Sequence, residues 1–233
     1  MQLQNAKVVV TGGSSGIGKA TAKLLIEKGA KVLITGRNAE KLEKVAQEIG
    51  ATPLALDMTH TAEFEQAAEK AQELVGGPID VLINNAGIGE YAPLGEIRLE
   101  QFQKVYMTNV FGLSLLTQAF LPQLKDQKGN IVNIASTAGL KGFATGSIYS
   151  SSKFALRGLT QCWQAELRPH NIRVQLINPS EVTTAFYKKD RIERPEEDKK
   201  LRSQEIAHAI AAALEMDDRG FIPELTVWAT NPF

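Results

Sequence analysis

Residues 7–20 read KVVVTGGSSGIGKA. Three valines follow Lys7 without a polar interruption, as a strand covered on both faces requires. Gly12, Gly16 and Gly18 come next. Ile17, Ala20 and Leu24 then recur at helical spacing, and Gly29 closes the segment. A strand, a glycine turn and a helix in this order suit a phosphate group. The glycines allow a tight turn and close approach of the backbone, and the free N–H groups and dipole of the helix N-terminus favour negative charge. A glycine turn alone is a weak signal. Its place after a first buried strand, in a strand–helix–strand context, points to nucleotide binding.

The same alternation continues outward. Residues 30–37 (AKVLITGR) predict a strand, 38–50 a charged amphipathic helix, 52–58 (TPLALDM) a strand, 61–77 a helix and 79–87 (IDVLINNAG) a strand. A long helical stretch over roughly Leu99–Lys125 precedes the strand GNIVNIAS at 129–136. A second helix runs from about Tyr149 to Arg168, ahead of the strand IRVQLINPS. A short helix at SQEIAHAIAAALE and the strand ELTVWA end the pattern. Seven apolar strands alternating with helices predict an α/β fold of Rossmann type, a doubly wound parallel sheet with helices on both faces. No repeat or Pro/Gly/Ser linker divides the chain, so one domain is expected over residues 1–233.

Hydrophobic residues make up 43% of the 233, enough for a sizeable core. The 26 basic and 26 acidic side chains cancel, which argues against a nucleic-acid or membrane-surface binder. One cysteine, Cys162, excludes an intrachain disulfide, suits a reducing compartment and reads as a small, partly buried apolar residue. The N-terminus has no apolar signal region, and no run approaches the roughly 18 apolar residues of a membrane helix. A soluble cytoplasmic protein is expected. No metal site is assigned.

The second strand ends ITGRN, without the acid that often bonds a ribose 2′-OH in dinucleotide folds. Arg37 stands there instead, and an arginine can pair bidentately with a 2′-phosphate. NADP(H) is therefore favoured over NAD(H). Tyr149 and Lys153, in YSSSK, are four residues apart, one turn along one helix face. A phenol, ordinarily near 10, becomes a usable proton donor when a neighbouring ammonium stabilises its anion. Ser136 ends a buried strand, where such folds bind ligands, and its hydroxyl suits a developing oxyanion. Asn109 interrupts the long central helix as a poor helix former.

TGGSSGIG, NNAG at 84–87, Asn109, Ser136 and YSSSK occur in the order and spacing of the short-chain dehydrogenase/reductase family. The chain resembles its common subgroup, which includes the 3-oxoacyl-ACP reductases, over nearly its whole length. The resemblance implies a nicotinamide cofactor and reversible hydride transfer between a carbonyl and an alcohol, with a homodimer or homotetramer as the assembly. By the same resemblance Gly12, Ser14, Ile17 and Arg37 match the pyrophosphate and ribose contacts. Asp57 matches the acid at the adenine amine, with Met58 beside it, and Asn85, Ala86 and Gly87 match the segment along the adenosine side. By its residues alone Asp57 reads as a helix cap. Ser136, Tyr149, Lys153 and Asn109 match the catalytic set, Lys153 also holding the nicotinamide ribose and Asn109 a proton-relaying water.

The sequence departs from the family at Pro179-Ser180, where Pro-Gly is usual. A serine there is strained if the backbone needs positive φ. Pro179, Val182 and Thr184 still match cofactor positions. Residues 186–200 fall where the family places its substrate-covering loop. Phe186 and Tyr187, with Leu140 and Phe143 opposite, are candidate substrate contacts, and Lys188 and Lys189 suit an acidic carrier. Apolar residues of the helix at Tyr149 (Phe154, Leu156, Leu159, Trp163, Leu167) and the final strand with Trp228 are candidates for a subunit interface. The expected partner is a small carbonyl or alcohol. The contrasting expectation is a catalytically silent NADP(H)-binding sensor, against which the intact Ser136, Tyr149 and Lys153 argue.

Overall fold

The structure, a computed structural model, describes residues 1–184, 186 and 195–232. Among the described residues, seven strands alternate with seven α-helices. The strands are β1 (Lys7–Val10), β2 (Lys31–Gly36), β3 (Thr52–Ala55), β4 (Val81–Asn84), β5 (Asn130–Ile134), β6 (Arg173–Pro179) and β7 (Glu224–Val227). The helices are α1 (Gly16–Glu27), α2 (Ala39–Ile49), α3 (Phe64–Val75), α4 (Leu99–Tyr106), α5 (Leu113–Gln127), α6 (Ser147–Leu167) and α7 (Ser203–Glu215). All strands pair in parallel, in the order β3-β2-β1-β4-β5-β6-β7. This is the Rossmann-type sheet that the strand–helix alternation predicts. The order reverses between β1 and β4, and a crevice opens beyond the strand ends at such a switch point.

The valine run of β1 shows why these strands are apolar throughout. Val8 and Val10 pack with Ile34, Ile83 and Ile177 against α1, α2 and α7. Val9 points the other way, to Leu33, Leu82, Ile131 and Leu176 under α3, α5 and α6. Each face needs alternate residues of one strand, so no position is left for water. A Leu, Ile or Phe fully buried in these layers contributes about 1.5–3 kcal/mol.

Three local readings change. The strand expected through Met58 leaves the sheet at Ala55, and Leu56 makes one last bond, donating its N–H to Gly36 O at 3.1 Å. The stretch 99–125 is not a continuous α-helix. Residues 107–112 widen into a π-helical turn with Asn109 inside it, a form that frequently marks functional sites. Cys162 is exposed, because it falls on the outward face of α6.

Candidate active site

A cleft of about 750 Å³ lies across the carboxyl ends of β1, β2, β4, β5 and β6. Its floor begins at the glycine turn. Gly12 has φ +65°, and a Cβ there would stand 3.0 Å from Ala86 Cα. Only glycine combines that conformation with that proximity. Gly12, Ser14, Gly16 and Ile17 line the cleft, whereas Gly18 does not. Gly18 is buried below the turn, and a Cβ on it would lie 2.4 Å from Gly12 O. Its function in the fold is to let α1 pack against the loop.

Asn85, Ala86 and Gly87 form the next part of the wall. The Asn85 side chain donates to Thr11 O at 2.9 Å and Gly12 O at 3.1 Å. The backbone N–H groups of Asn85 and Ala86 both donate to Thr11 Oγ1, at 3.0 Å. The end of β4 and the glycine turn are thereby held as one piece.

Arg37, Asn38, Lys41, Asp57 and Met58 close one end of the cleft. Asn38 caps α2, its side chain accepting from the Lys41 N–H at 2.8 Å. That cap puts Lys41 on the first turn, near Arg37. The sequence reading missed Lys41, although the Asn38 cap motif could have placed it. Asp57 Oδ1 accepts from both the N–H and the hydroxyl of Thr59, each at 2.9 Å. Burial alone would raise the Asp57 carboxyl. The two Thr59 hydrogen bonds, with Arg37 and His60 nearby, outweigh it and hold the carboxyl below its usual range.

At the other end Ser136, Tyr149 and Lys153 line the same cleft. Ser136 follows β5 and caps a short 3₁₀ turn, its Oγ accepting from Ala138 N–H at 3.1 Å. Tyr149 and Lys153 sit on the first turns of α6, which starts two residues before Tyr149. Lys153 is 4% exposed and donates from Nζ to Ile134 O at 2.9 Å. Its Nζ is 5.8 Å from the centre of the Tyr149 ring. Burial pushes the Lys153 ammonium down to about 8.

Asn109 lies behind this wall and does not line it. It is 1% exposed, its Oδ1 accepting from Ile88 N–H and its Nδ2 donating to Ile88 O, both at 2.9 Å. The same Nδ2 donates to Ser152 Oγ at 3.1 Å, and the Ser152 hydroxyl donates to Tyr149 O at 2.7 Å. Ser152 thus ties the widened turn of 107–112 to α6, a connection not visible in the spacing of YSSSK. A second buried chain crosses the sheet below. Asn84 donates to Thr117 Oγ1 and Asn133 Oδ1, and Asn133 donates to Thr160 Oγ1, all at 2.9 Å.

Pro179, Ser180, Val182 and Thr184 complete the wall on the β6 side. The backbone of Ser180 does not have positive φ, and its N–H donates to Val227 O at 2.9 Å. The serine is therefore unstrained. Among the substrate candidates Phe186 lines the cleft; Leu140 and Phe143 do not. Phe143 is half exposed and reaches Tyr149 through Tyr91, with ring centres 6.1 Å and 5.7 Å apart along that path. Tyr187, Lys188 and Lys189 lie outside the described residues. Among the described residues there is no group of three His, Cys, Asp or Glu able to hold a metal ion, and no helix is long and apolar enough to cross a membrane.

A family model for the short chain dehydrogenases matches residues 6–195. The chain belongs to the short-chain dehydrogenase/reductase family. Within this family of oxidoreductases, an uncharacterized oxidoreductase of Staphylococcus aureus (strain USA300) is 34% identical over 97% of each chain. An alcohol dehydrogenase from the archaeon Thermococcus sibiricus, solved with 5-hydroxy-NADP, is 30% identical, with a TM-score of 0.88 over 96% of each chain. A 3-ketoacyl-(acyl-carrier-protein) reductase from Brucella melitensis, solved with NADH, is 28% identical, with a TM-score of 0.88 over 99% of this chain and all of that one. Such a dehydrogenase keeps its fold while its substrate end varies, so the substrate has to be argued from the site.

Proposed function

We propose that this chain is an NADP(H)-dependent dehydrogenase that interconverts a carbonyl and an alcohol, with Tyr149 as general acid and base. The observation that carries this reading is Lys153, a buried ammonium beside Tyr149 in the cleft that begins at the glycine turn. A buried lysine with a carbonyl partner and, among the described residues, no carboxylate is expensive for a fold, and such groups concentrate at functional sites. The nicotinamide, when bound, supplies or takes the hydride. The chain's own residues do the rest. Ser136 Oγ holds the substrate oxygen, Tyr149 Oη delivers or takes its proton, and Lys153 stabilises the phenolate that results. Asn109 keeps the loop at Ile88 and the start of α6 in register, and we assign it a positioning and proton-relay role.

The fit of the cofactor rests on three features. The glycine turn packs its backbone directly against Asn85 and Ala86, leaving no room for a Cβ at Gly12 or Gly18. Gly12, Ser14, Gly16 and Ile17 would hold the pyrophosphate, and Asp57, Met58 and Asn85–Gly87 the adenosine side. Arg37 and Lys41 put two cations at the ribose end, which favours a 2′-phosphate and hence NADP(H) over NAD(H). Pro179, Val182 and Thr184 would face the nicotinamide.

We also propose that residues 1–233 act as one catalytic domain in the cytoplasm, where the exposed Cys162 stays reduced. Phe111, Leu115 and Phe154 expose 43–51% of their surface, and Trp228 64%. Covering them by a second copy supports a homodimer or homotetramer.

The deciding experiment is NADPH oxidation against a panel of carbonyls, with Tyr149→Phe alongside. Turnover should fall by about 10²–10⁴-fold in the variant, with the NADPH dissociation constant unchanged. Near-normal turnover by Tyr149→Phe would sink the assignment. Tight NADPH binding without turnover by the unaltered protein would leave a cofactor sensor instead.

A further inference from the structure

The reacting centre is flanked by aromatic rings that the reaction itself does not require. Tyr149 has Phe186 at 5.5 Å on one side and Tyr91 at 5.7 Å on another, both tilted, and Phe143 continues the row 6.1 Å beyond Tyr91. Two glycines make room for it. A Cβ on Gly89 would stand 2.7 Å from Tyr91 Oη and 3.1 Å from a Phe186 ring carbon. A Cβ on Gly146 would stand 2.7 Å from the Phe143 ring. The two loops that carry Tyr91 and Phe143 are joined, Ala92 N–H donating to Thr145 O at 3.0 Å, with Thr145 held at φ +67°. A non-glycine residue in that conformation is strained and persists where surrounding contacts impose it.

Glu90, next to Tyr91, is paired with Lys104. Phe143 leaves half its surface in water beside Tyr91, whose ring neighbours Tyr149, and an exposed ring there is apolar surface that a substrate ring can cover.

Resting on the carbonyl-reductase reading above, we infer that the substrate is an uncharged aryl carbonyl or the matching alcohol. Its ring packs on Tyr91 and Phe143 while its oxygen meets Ser136 and Tyr149. Tyr91, which does not line the cofactor cleft, is then a specificity-determining residue. Its ring supplies face and edge for a tilted or offset stack, a geometry an aliphatic ring of equal size does not reward.

The test compares acetophenone, cyclohexyl methyl ketone and the anion phenylglyoxylate with NADPH. The unaltered protein should give kcat/KM at least about tenfold higher for acetophenone than for either other compound. Tyr91→Ala and Phe143→Ala should erase that preference, Tyr91→Phe should keep it, and NADPH affinity should not move in any of them. Phe143 lies at the surface, so its truncation leaves the core intact. Equal losses for aryl and aliphatic ketones in Tyr91→Ala, or a preference for phenylglyoxylate, would overturn the inference while leaving the reductase reading in place. Absence of turnover on every carbonyl would instead overturn the reductase reading. In that case saturation-transfer NMR with acetophenone decides: binding lost in Tyr91→Ala supports the aromatic wall, and absent or unaltered binding refutes it.

Discussion

At one end the cleft is walled by Arg37, Asn38, Lys41 and Asp57, exposed or partly exposed groups set by a turn and a helix cap. At the other end stand Tyr149 and Lys153, both at least 94% buried and held from behind by Ser152, Asn109 and Ile134 O. The first end has the proposed task of recognising a phosphate through hydrated charges, each of modest worth. The second has the proposed task of setting the protonation of one phenol, which demands low dielectric and fixed geometry. Substitutions at the buried end should therefore act on turnover and those at the charged end on cofactor choice, with effects of unequal size.

Lys153 offers the widest break in that contrast. Lys153→Met should lower turnover by about 10²–10⁴-fold. It should also change how stability depends on pH. The folded ammonium titrates near 8 and the unfolded one near 10.5. Between these values the unfolded chain binds more protons, so Lys153 makes the cofactor-free protein more stable as pH rises through the window. Below pH 8 both states are protonated and the burial penalty is fully present. The stability difference between the natural protein and Lys153→Met should shift by about 3 kcal/mol across the window, measured by urea unfolding at several pH values. Parallel pH profiles would mean that the ammonium is solvated in solution.

Arg37 comes next. Arg37→Ala should weaken NADPH binding by about tenfold, the worth of one charge-assisted phosphate contact in partly exposed surroundings, and leave NADH almost unchanged. Titration by fluorescence with both cofactors checks it. Lys41→Ala should act in the same direction, and an equal loss for both cofactors in either variant would remove the 2′-phosphate assignment.

The two ends also differ in how far the linear sequence exposes them. The charged end is local. Glycines 12–18 and Arg37 sit at strand ends that an apolar run announces. Of the buried end only Tyr149 and Lys153, one helical turn apart, are local in this way. The valine run, with its alternation of faces, likewise declares the parallel sheet before any contact is known. The buried end depends on pairs far apart in the chain. Asn109 finds Ser152 across 43 residues and Ile88 across 21, and the π-helical turn that aims it has no periodicity signal. Gly18 looks like a cofactor glycine because the motif counts positions, not faces. Tyr91 was invisible because one tyrosine in a loop gains meaning only when Phe143 arrives from residue 143 and Phe186 from residue 186.

Ser152 sharpens the contrast with a smaller effect. Ser152→Ala leaves Asn109 its two bonds to Ile88 but removes the link to α6. Loss of one buried neutral hydrogen bond should destabilise the protein by about 1–2 kcal/mol. As a positioning change, it should lower kcat with KM for NADPH unaltered and shift the pH profile of kcat, which a purely structural loss would not do. Ser152→Thr, which keeps the hydroxyl, should recover the profile.

Ser180 should give the smallest effect, because nothing about its backbone asks for glycine. Its φ is negative and its N–H is already bonded to Val227 O. Replacing it by the glycine usual in this family adds freedom to the unfolded chain without relieving strain in the folded one. Ser180→Gly should therefore lose about 0.5–1 kcal/mol in thermal or urea unfolding and leave NADPH affinity within twofold or so. A gain of stability, or a clear tightening of cofactor binding, would mean that this wall residue bends toward the left-handed region once the nicotinamide end of the cleft is filled. The rigid account of that end would then give way to one in which the loop after β6 moves.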